Sequence, residues 1–196
     1  MSKAERTRQY IIEKTAPLFN RKGYVGTTMS DIMEVTGLSK GGIYGSFAKK
    51  DEVMVAAFRF NHQRLQDNFN KKLKAKVSFK EKLLAYPQHY KGYFEHLMRS
   101  GGCPIQNTAI EADDTHPLLK KLAGDALEVW KKQLIGFIEG GIARGEFSAR
   151  AIDPERTALT IISAIEGAVM VSMLSGKTSE LGLVMDSVTK LITDLD

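Results

Sequence analysis

The sequence predicts an all-α protein, and three observations carry that reading. Apolar residues recur three and four positions apart along almost the whole chain, period-two alternation bounded by turn residues is scarce, and capping residues and glycines punctuate the chain at helical lengths. The 196 residues are 43% hydrophobic and 26% charged with five prolines, a composition of soluble globular proteins. That length allows one large domain or a small one joined to a medium one.

The first helix is expected over Ala4 to Arg21, with Ile11, Ile12, Ala16, Leu18 and Phe19 turned inward and Lys22-Gly23 closing it. Pro17 lies inside it and predicts a kink or one loosened turn. Thr28 caps the second helix, with Asp31 in the capping-box position, and Gly37 ends it. Ser39 caps a short third helix, Lys40 to Phe47, and Lys49-Lys50-Asp51-Glu52 opens a long fourth that runs toward residue 74. Phe79 to Met98 is a fifth helix, with Pro87 inside it. After the break at Ser100-Gly101-Gly102-Cys103, Pro104 suits the first turn of a sixth. An interruption at Asp114 to Pro117 precedes a long helix, Leu118 to Ala143, which Gly145 ends. Asp153-Pro154 starts a helix to Leu174, and Ser179 to Leu195 supplies the last.

Charge is distributed unevenly. Residues 1–50 hold nine basic and four acidic side chains, whereas the remaining 146 residues balance 19 against 19, so the whole net charge of +5 is N-terminal. A basic segment joined to a neutral one suits a polyanion-binding module attached to something with another task. Val35-Thr36-Gly37-Leu38-Ser39 joins two short helices at the spacing of a helix-turn-helix, whose second helix enters the major groove of DNA. Ser39 and Lys40 can reach phosphates or base edges from its N-terminal end. Gly41 and Gly42 together weaken that helix by about 2 kcal/mol, a cost that close backbone approach to DNA accounts for.

Phe19, Gly23, Tyr24, Thr27-Thr28, Asp31-Ile32, Gly37-Leu38-Ser39-Lys40-Gly41, Ile43-Tyr44, Phe47 and Lys50-Asp51-Glu52 agree in order and spacing over residues 6 to 55 with one known pattern. This stretch resembles the DNA-binding domain of the TetR family of repressors. The resemblance implies that Thr28, Ser39, Lys40, Gly41, Tyr44 and Lys50 lie on the DNA face, while Ile32, Leu38, Ile43 and Phe47 pack the domain. Lys49, directly after the recognition helix, is a further candidate phosphate contact. Gly45 is a departure, since the family often carries an aromatic or polar side chain there, so base preference does not transfer. The expected division is a DNA-binding domain at 1–50 and a ligand-sensing and dimerisation domain at 51–196.

Gly101 to Asn107 with Glu111 resembles a segment of a TetR subgroup that answers electrophiles and unsaturated acids. Cys103, just ahead of a helix starting at Pro104, sits where a helix dipole lowers thiol pKa. The same residue fits a small buried packing role, and the sequence leaves both open. Tyr86, His89, Tyr90, Tyr93, Phe94 and His96 crowd one helix, and Trp130 and Phe137 another. Aromatic rings with polar handles suit a small-molecule pocket, for which Tyr86, Tyr90, Tyr93, Cys103, Trp130 and Phe137 are the candidate lining. His89 and His96 share a face but lack a spaced carboxylate or thiol partner, so neither a metal site nor a cofactor is expected. The helices over 154–195 carry more apolar residues than one flank of a monomer needs, which predicts a homodimer through a four-helix bundle, as the resemblance also implies.

These readings make the chain a cytoplasmic, dimeric transcriptional repressor of double-stranded operator DNA, released by a small-molecule effector, and not an enzyme. A charged N-terminus with no apolar run and no stretch of transmembrane length argues against secretion or a membrane. Two alternatives stay open. A cysteine-dependent enzyme centred on Cys103 needs a positioned base that no sequence feature supplies. A non-specific DNA-binding protein does not need a large neutral C-terminal region.

Overall fold

The computed structural model describes residues 1–112, 116–148 and 152–195, which form nine α-helices and no strand. The chain folds as two compact units, each drawn from two stretches of sequence: Met1–Gln66 with Ser100–Ala123, and Asp67–Arg99 with Gly124–Asp196. The division expected at residue 50 follows chain order, whereas the first unit reaches further along the chain and also holds the sixth helix.

In the first unit, α1 (Lys3–Gly26) starts from a capping box in which Ser2 accepts the Glu5 N–H and Glu5 accepts the Ser2 N–H. Pro17 lies inside it at helical backbone angles. The carbonyl that Pro17 leaves without an amide partner belongs to exposed Glu13. The helix breaks instead at Gly23, whose φ of 71° and ψ of −179° are open essentially to glycine alone.

α2 (Met29–Thr36) and α3 (Lys40–Tyr44) follow, joined through Gly37 in the left-handed conformation at φ 66°. α3 stops at Tyr44 rather than Phe47, and the Ser46 amide closes it with a tighter bond to the Ile43 carbonyl three residues back. α4 (Lys50–Leu73) begins in this unit. Ile11, Ala16, Ile32, Ile43, Phe47, Val53 and Ala57 are buried to 2% exposure or less and form the core of the N-terminal helices. α6 (Pro104–Ala112) packs on α1, and α7 (Pro117–Ala143) starts here. Of the interruption expected at 114–117, residues 114 and 115 lie outside the described residues.

In the second unit, α5 (Phe79–Arg99), α8 (Pro154–Ser175) and α9 (Thr178–Thr193) pack on one another. α8 contains an 18-residue stretch of mean hydropathy 1.8, long and apolar enough to cross a membrane, contrary to the expectation that no such stretch exists. Its apolarity has two uses. Ile161, Ile162, Ile165, Ala168 and Val169 are buried within the unit, while Leu159, Met170, Val171 and Leu174 remain 45–83% exposed.

Candidate functional site

α3 sorts its short sequence cleanly. Ile43 is fully buried and Phe47 is 2% exposed, whereas Ser39, Lys40, Gly41, Gly42 and Tyr44 face solvent. Two inward residues four apart leave the rest of the turn outward. Ser39 Oγ accepts the Gly42 amide as the helix cap, and the Lys40 ammonium stands 5.9 Å from the Tyr44 ring centre. Thr28 is exposed and closes a reciprocal capping box with Asp31. Lys22, 2.7 Å from Asp31, and then the Thr28 amide and hydroxyl hold the Asp31 carboxyl down to about 2.

Of the two lysines after α3, Lys49 is exposed and Lys50 is half-buried. The Lys50 ammonium donates to the carbonyls of Tyr24 and Thr27, both at 2.9 Å, and lies 4.0 Å from the Tyr24 ring centre. Two of its three protons are therefore committed inside the domain, and only the third is free for a phosphate. Arg8 fastens the turn after α3: its guanidinium donates to the Ser46 carbonyl at 2.5 Å and stacks 3.9 Å from the Phe47 ring centre. Tyr10 similarly donates its hydroxyl to the Thr36 carbonyl in the turn.

The break in α1 is where α6 attaches. The Glu111 carboxylate accepts the amides of Tyr24 and Val25, each at 2.7 Å, and so caps the chain just after Gly23. A Cβ on Gly23 would meet that carboxylate at 2.4 Å. Asn20 donates to the Ser100 and Gly102 carbonyls, and Asn107 donates to the Asn20 and Gly101 carbonyls, holding the Gly-Gly turn against α1. Tyr24 ties in α4 and the start of α7 as well. Its hydroxyl donates to Asp51, a bond that raises the Tyr24 pKa and lowers that of Asp51, and its ring meets His116 edge-on at 5.4 Å. Cys103, 1% exposed, belongs to this same turn, and its carbonyl accepts the Asn107 amide.

The second unit gathers most of the aromatic candidates. Tyr86 and Tyr90 both lie nearly parallel to Trp130, at 6.2 and 6.3 Å between ring centres, and Tyr93 stacks on His89 at 5.0 Å. Phe69, from the last turns of α4, meets Tyr86 at 4.2 Å and His89 at 5.4 Å. Phe137 stands in a different group, 6.4 Å from Phe79 with Lys82 over its face. Cys103 lies in the first unit and Phe137 outside the Trp130 group, so the six candidates are not one set of ring contacts. His89, not among the six candidates, is central to this ring cluster. Its sequence signal is an imidazole set between Tyr86 and Tyr90 on a ring-rich helix.

Burial, and secondarily the charge of Lys72, lowers the His89 pKa to about 4 from the usual 6.5. An unfolded chain then takes up the proton first as pH falls. The stability this neutral imidazole contributes is complete above about pH 6.5 and is lost progressively toward pH 4. Thermal melting of the wild type is expected to fall over that window more steeply than that of His89→Phe, and parallel curves for the two proteins would refute this account of the group. No group of three or more metal-ligating side chains occurs among the described residues.

The short α3 with its solvent-facing Ser39, Lys40 and Tyr44, set on a three-helix core, defines a helix-turn-helix DNA-binding protein. Residues 11–57 match the family model for bacterial regulatory proteins of the tetR family, and residues 80–188 match that for the tetracycline-repressor-like C-terminal domain. The chain belongs to the TetR family of transcriptional regulators. The HTH-type transcriptional repressor DhaR of Mycobacterium sp. (strain GP1) is 25% identical over 167 residues, which cover 83% of this chain and 80% of that protein. A TetR-family regulator from Cytophaga hutchinsonii has a crystal structure with 41% identity and a TM-score of 0.94, covering 100% of this chain and 98% of its own. A TetR regulator from Chloroflexus aurantiacus follows at 36% identity and TM-score 0.93, covering 98% of this chain and 97% of its own.

Proposed function

We propose that this regulator is a cytoplasmic repressor that binds an operator as a homodimer through α3 and leaves it when an effector occupies the aromatic cluster of the second unit. The observation that carries the DNA reading is the outward set of Ser39, Lys40, Gly41 and Tyr44 around a helix that buries Ile43. Thr28 and Lys49 flank that set, and Lys50 contributes its remaining proton while bracing the domain. A DNA fragment selected from a random library tests this by fluorescence anisotropy. Tyr44→Ala is expected to weaken specific binding by about 1–3 kcal/mol, and Lys49→Ala to lower affinity for all sequences and reduce the salt slope by about one ion. Both should melt within about 2 °C of wild type, since exposed substitutions cost little. Lys50→Ala should lose stability as well as affinity. Wild-type affinity in the Tyr44 and Lys49 variants would show the DNA face to be elsewhere.

The dimer reading rests on the exposed side of α8. Leu159, Met170 and Leu174 fall on one stripe, and Leu183 of α9 is 69% exposed. Ile165 and Val169 face inward, so charging them would unfold the protomer, whereas Met170→Asp with Leu174→Asp should yield folded monomers by light scattering. A double variant that stays dimeric would place the interface on another face.

The cluster is joined to the DNA-binding helices by α4, which begins at Lys50 and delivers Asn68 and Phe69 to the aromatic rings. An effector that favours one setting of α4 must weaken DNA binding by the same factor by which operator weakens effector binding, a coupling of about 1–3 kcal/mol. Burial of Cys103 supports packing over electrophile sensing. The native thiol is expected to react with a maleimide roughly a hundred-fold more slowly than the unfolded chain, by analogy with inert structural cysteines; comparable rates would restore the thiol as a sensor.

A further inference from the structure

His89 is 1% exposed, and neither ring nitrogen has a hydrogen-bond partner. Native proteins rarely leave such a group unanswered, because its lost hydration is not recovered. The polar groups of the surrounding rings are already engaged: the Tyr86 hydroxyl donates to Gln133 at 2.8 Å, and Tyr93 accepts from Asn68 at 3.2 Å. Trp130, 9% exposed, leaves its indole N–H without a hydrogen bond of ordinary geometry. The cluster thus holds a buried imidazole and a buried indole N–H that its own side chains do not satisfy.

Resting on the reading of this cluster as the effector site, we infer that His89 is the polar anchor of the effector and that the effector is an uncharged hydroxylated aromatic molecule. The chemistry selects the class. A neutral imidazole offers one bare nitrogen that accepts and one N–H that donates, and the indole offers a second donor. A hydroxyl is the small group that can donate to the bare nitrogen and accept from an N–H at once. A carbonyl or carboxylate can only accept, which leaves the bare nitrogen unmet. A carboxylate would also shed its water among Phe69, Tyr86, Tyr90 and Trp130, all buried, while the cation that acts on His89, Lys72, is itself exposed. A quaternary organic cation carries neither donor nor acceptor and would leave both ring nitrogens unmet. The edge-on and stacked rings around His89 complete the selection in favour of a flat aromatic body.

Trp130 is the single tryptophan of the chain, so its fluorescence reports on this cluster in the full-length protein. Four probes of similar size separate the classes: 4-ethylphenol, its methyl ether 4-ethylanisole, 4-ethylbenzoate and benzyltrimethylammonium. The phenol should give a saturable change, the ether should bind roughly ten-fold more weakly for loss of one hydrogen bond, and the two ions should give none. His89→Phe should abolish the preference for phenol over ether while retaining a cooperative melt, and His89→Gln, which keeps a donor and an acceptor, should restore part of it. Equal binding of phenol and ether would overturn the role of His89. Preference for the benzoate or the ammonium would overturn the ligand class and leave the cluster as effector site. No response of Trp130 to any of the four, in wild type and His89→Phe alike, would overturn both this inference and the effector reading beneath it.

Discussion

Gly23→Ala is expected to destabilise the protein by about 3–5 kcal/mol, a loss unusual for adding one methyl group. Two effects combine there. The backbone at φ 71° and ψ −179° is closed to residues with a Cβ, which costs about 1–3 kcal/mol. The new atom would also sit 2.4 Å from the Glu111 carboxylate and displace it from the Tyr24 and Val25 amides. Hydrogen bonds to a charged group contribute about 1.5–3 kcal/mol each. Gly37→Ala is the matched control, because its φ is 66° but nothing lies within 4 Å of the added atom. It should cost only about 1–2 kcal/mol. Thermal melting should separate the two by several degrees, and equal shifts would mean that Glu111 adds nothing at the break.

The second large effect is Phe47→Ala, expected to cost about 3–5 kcal/mol as a deletion from a site 2% exposed. The ring also receives Arg8, whose guanidinium holds the Ser46 carbonyl at the end of the recognition helix. Stability and DNA affinity should fall together in this variant, in contrast to Tyr44→Ala, which separates them. Urea titration beside anisotropy checks this. Phe47→Ala that melts like wild type would show that the ring is not part of the core.

Much of this architecture is legible in the residues because it is local. Thr28 with Asp31, Ser39 ahead of two glycines, and Gly37 between short apolar runs specify caps and a turn within a few positions, and the structure forms each as read. What depends on distant partners is not legible. Nothing near Lys50 in sequence announces the Tyr24 and Thr27 carbonyls that hold it, and nothing near Gly23 announces Glu111, 88 positions later by residue number. Periodicity marks α8 as apolar on most sides, yet which residues turn out, Leu159, Met170 and Leu174 rather than Ile165 and Val169, is decided by packing against α5 and α9. The aromatic candidates share the same limit. Composition marks a ring-rich helix, but only the fold parts Phe137 from Trp130 and brings Phe69 from α4 to His89.

The central claim is that α3 reads a specific operator. It is tested most directly by competing a selected DNA fragment against scrambled DNA at one fixed salt concentration, with wild type and Lys40→Ala/Tyr44→Ala side by side. Wild type should prefer the selected fragment by about a thousand-fold or more, with a two-fold symmetric footprint, and the double variant should keep its residual affinity for scrambled DNA while losing most of that preference. Equal affinity of wild type for both DNAs, or an undiminished preference in the double variant, would contradict the account.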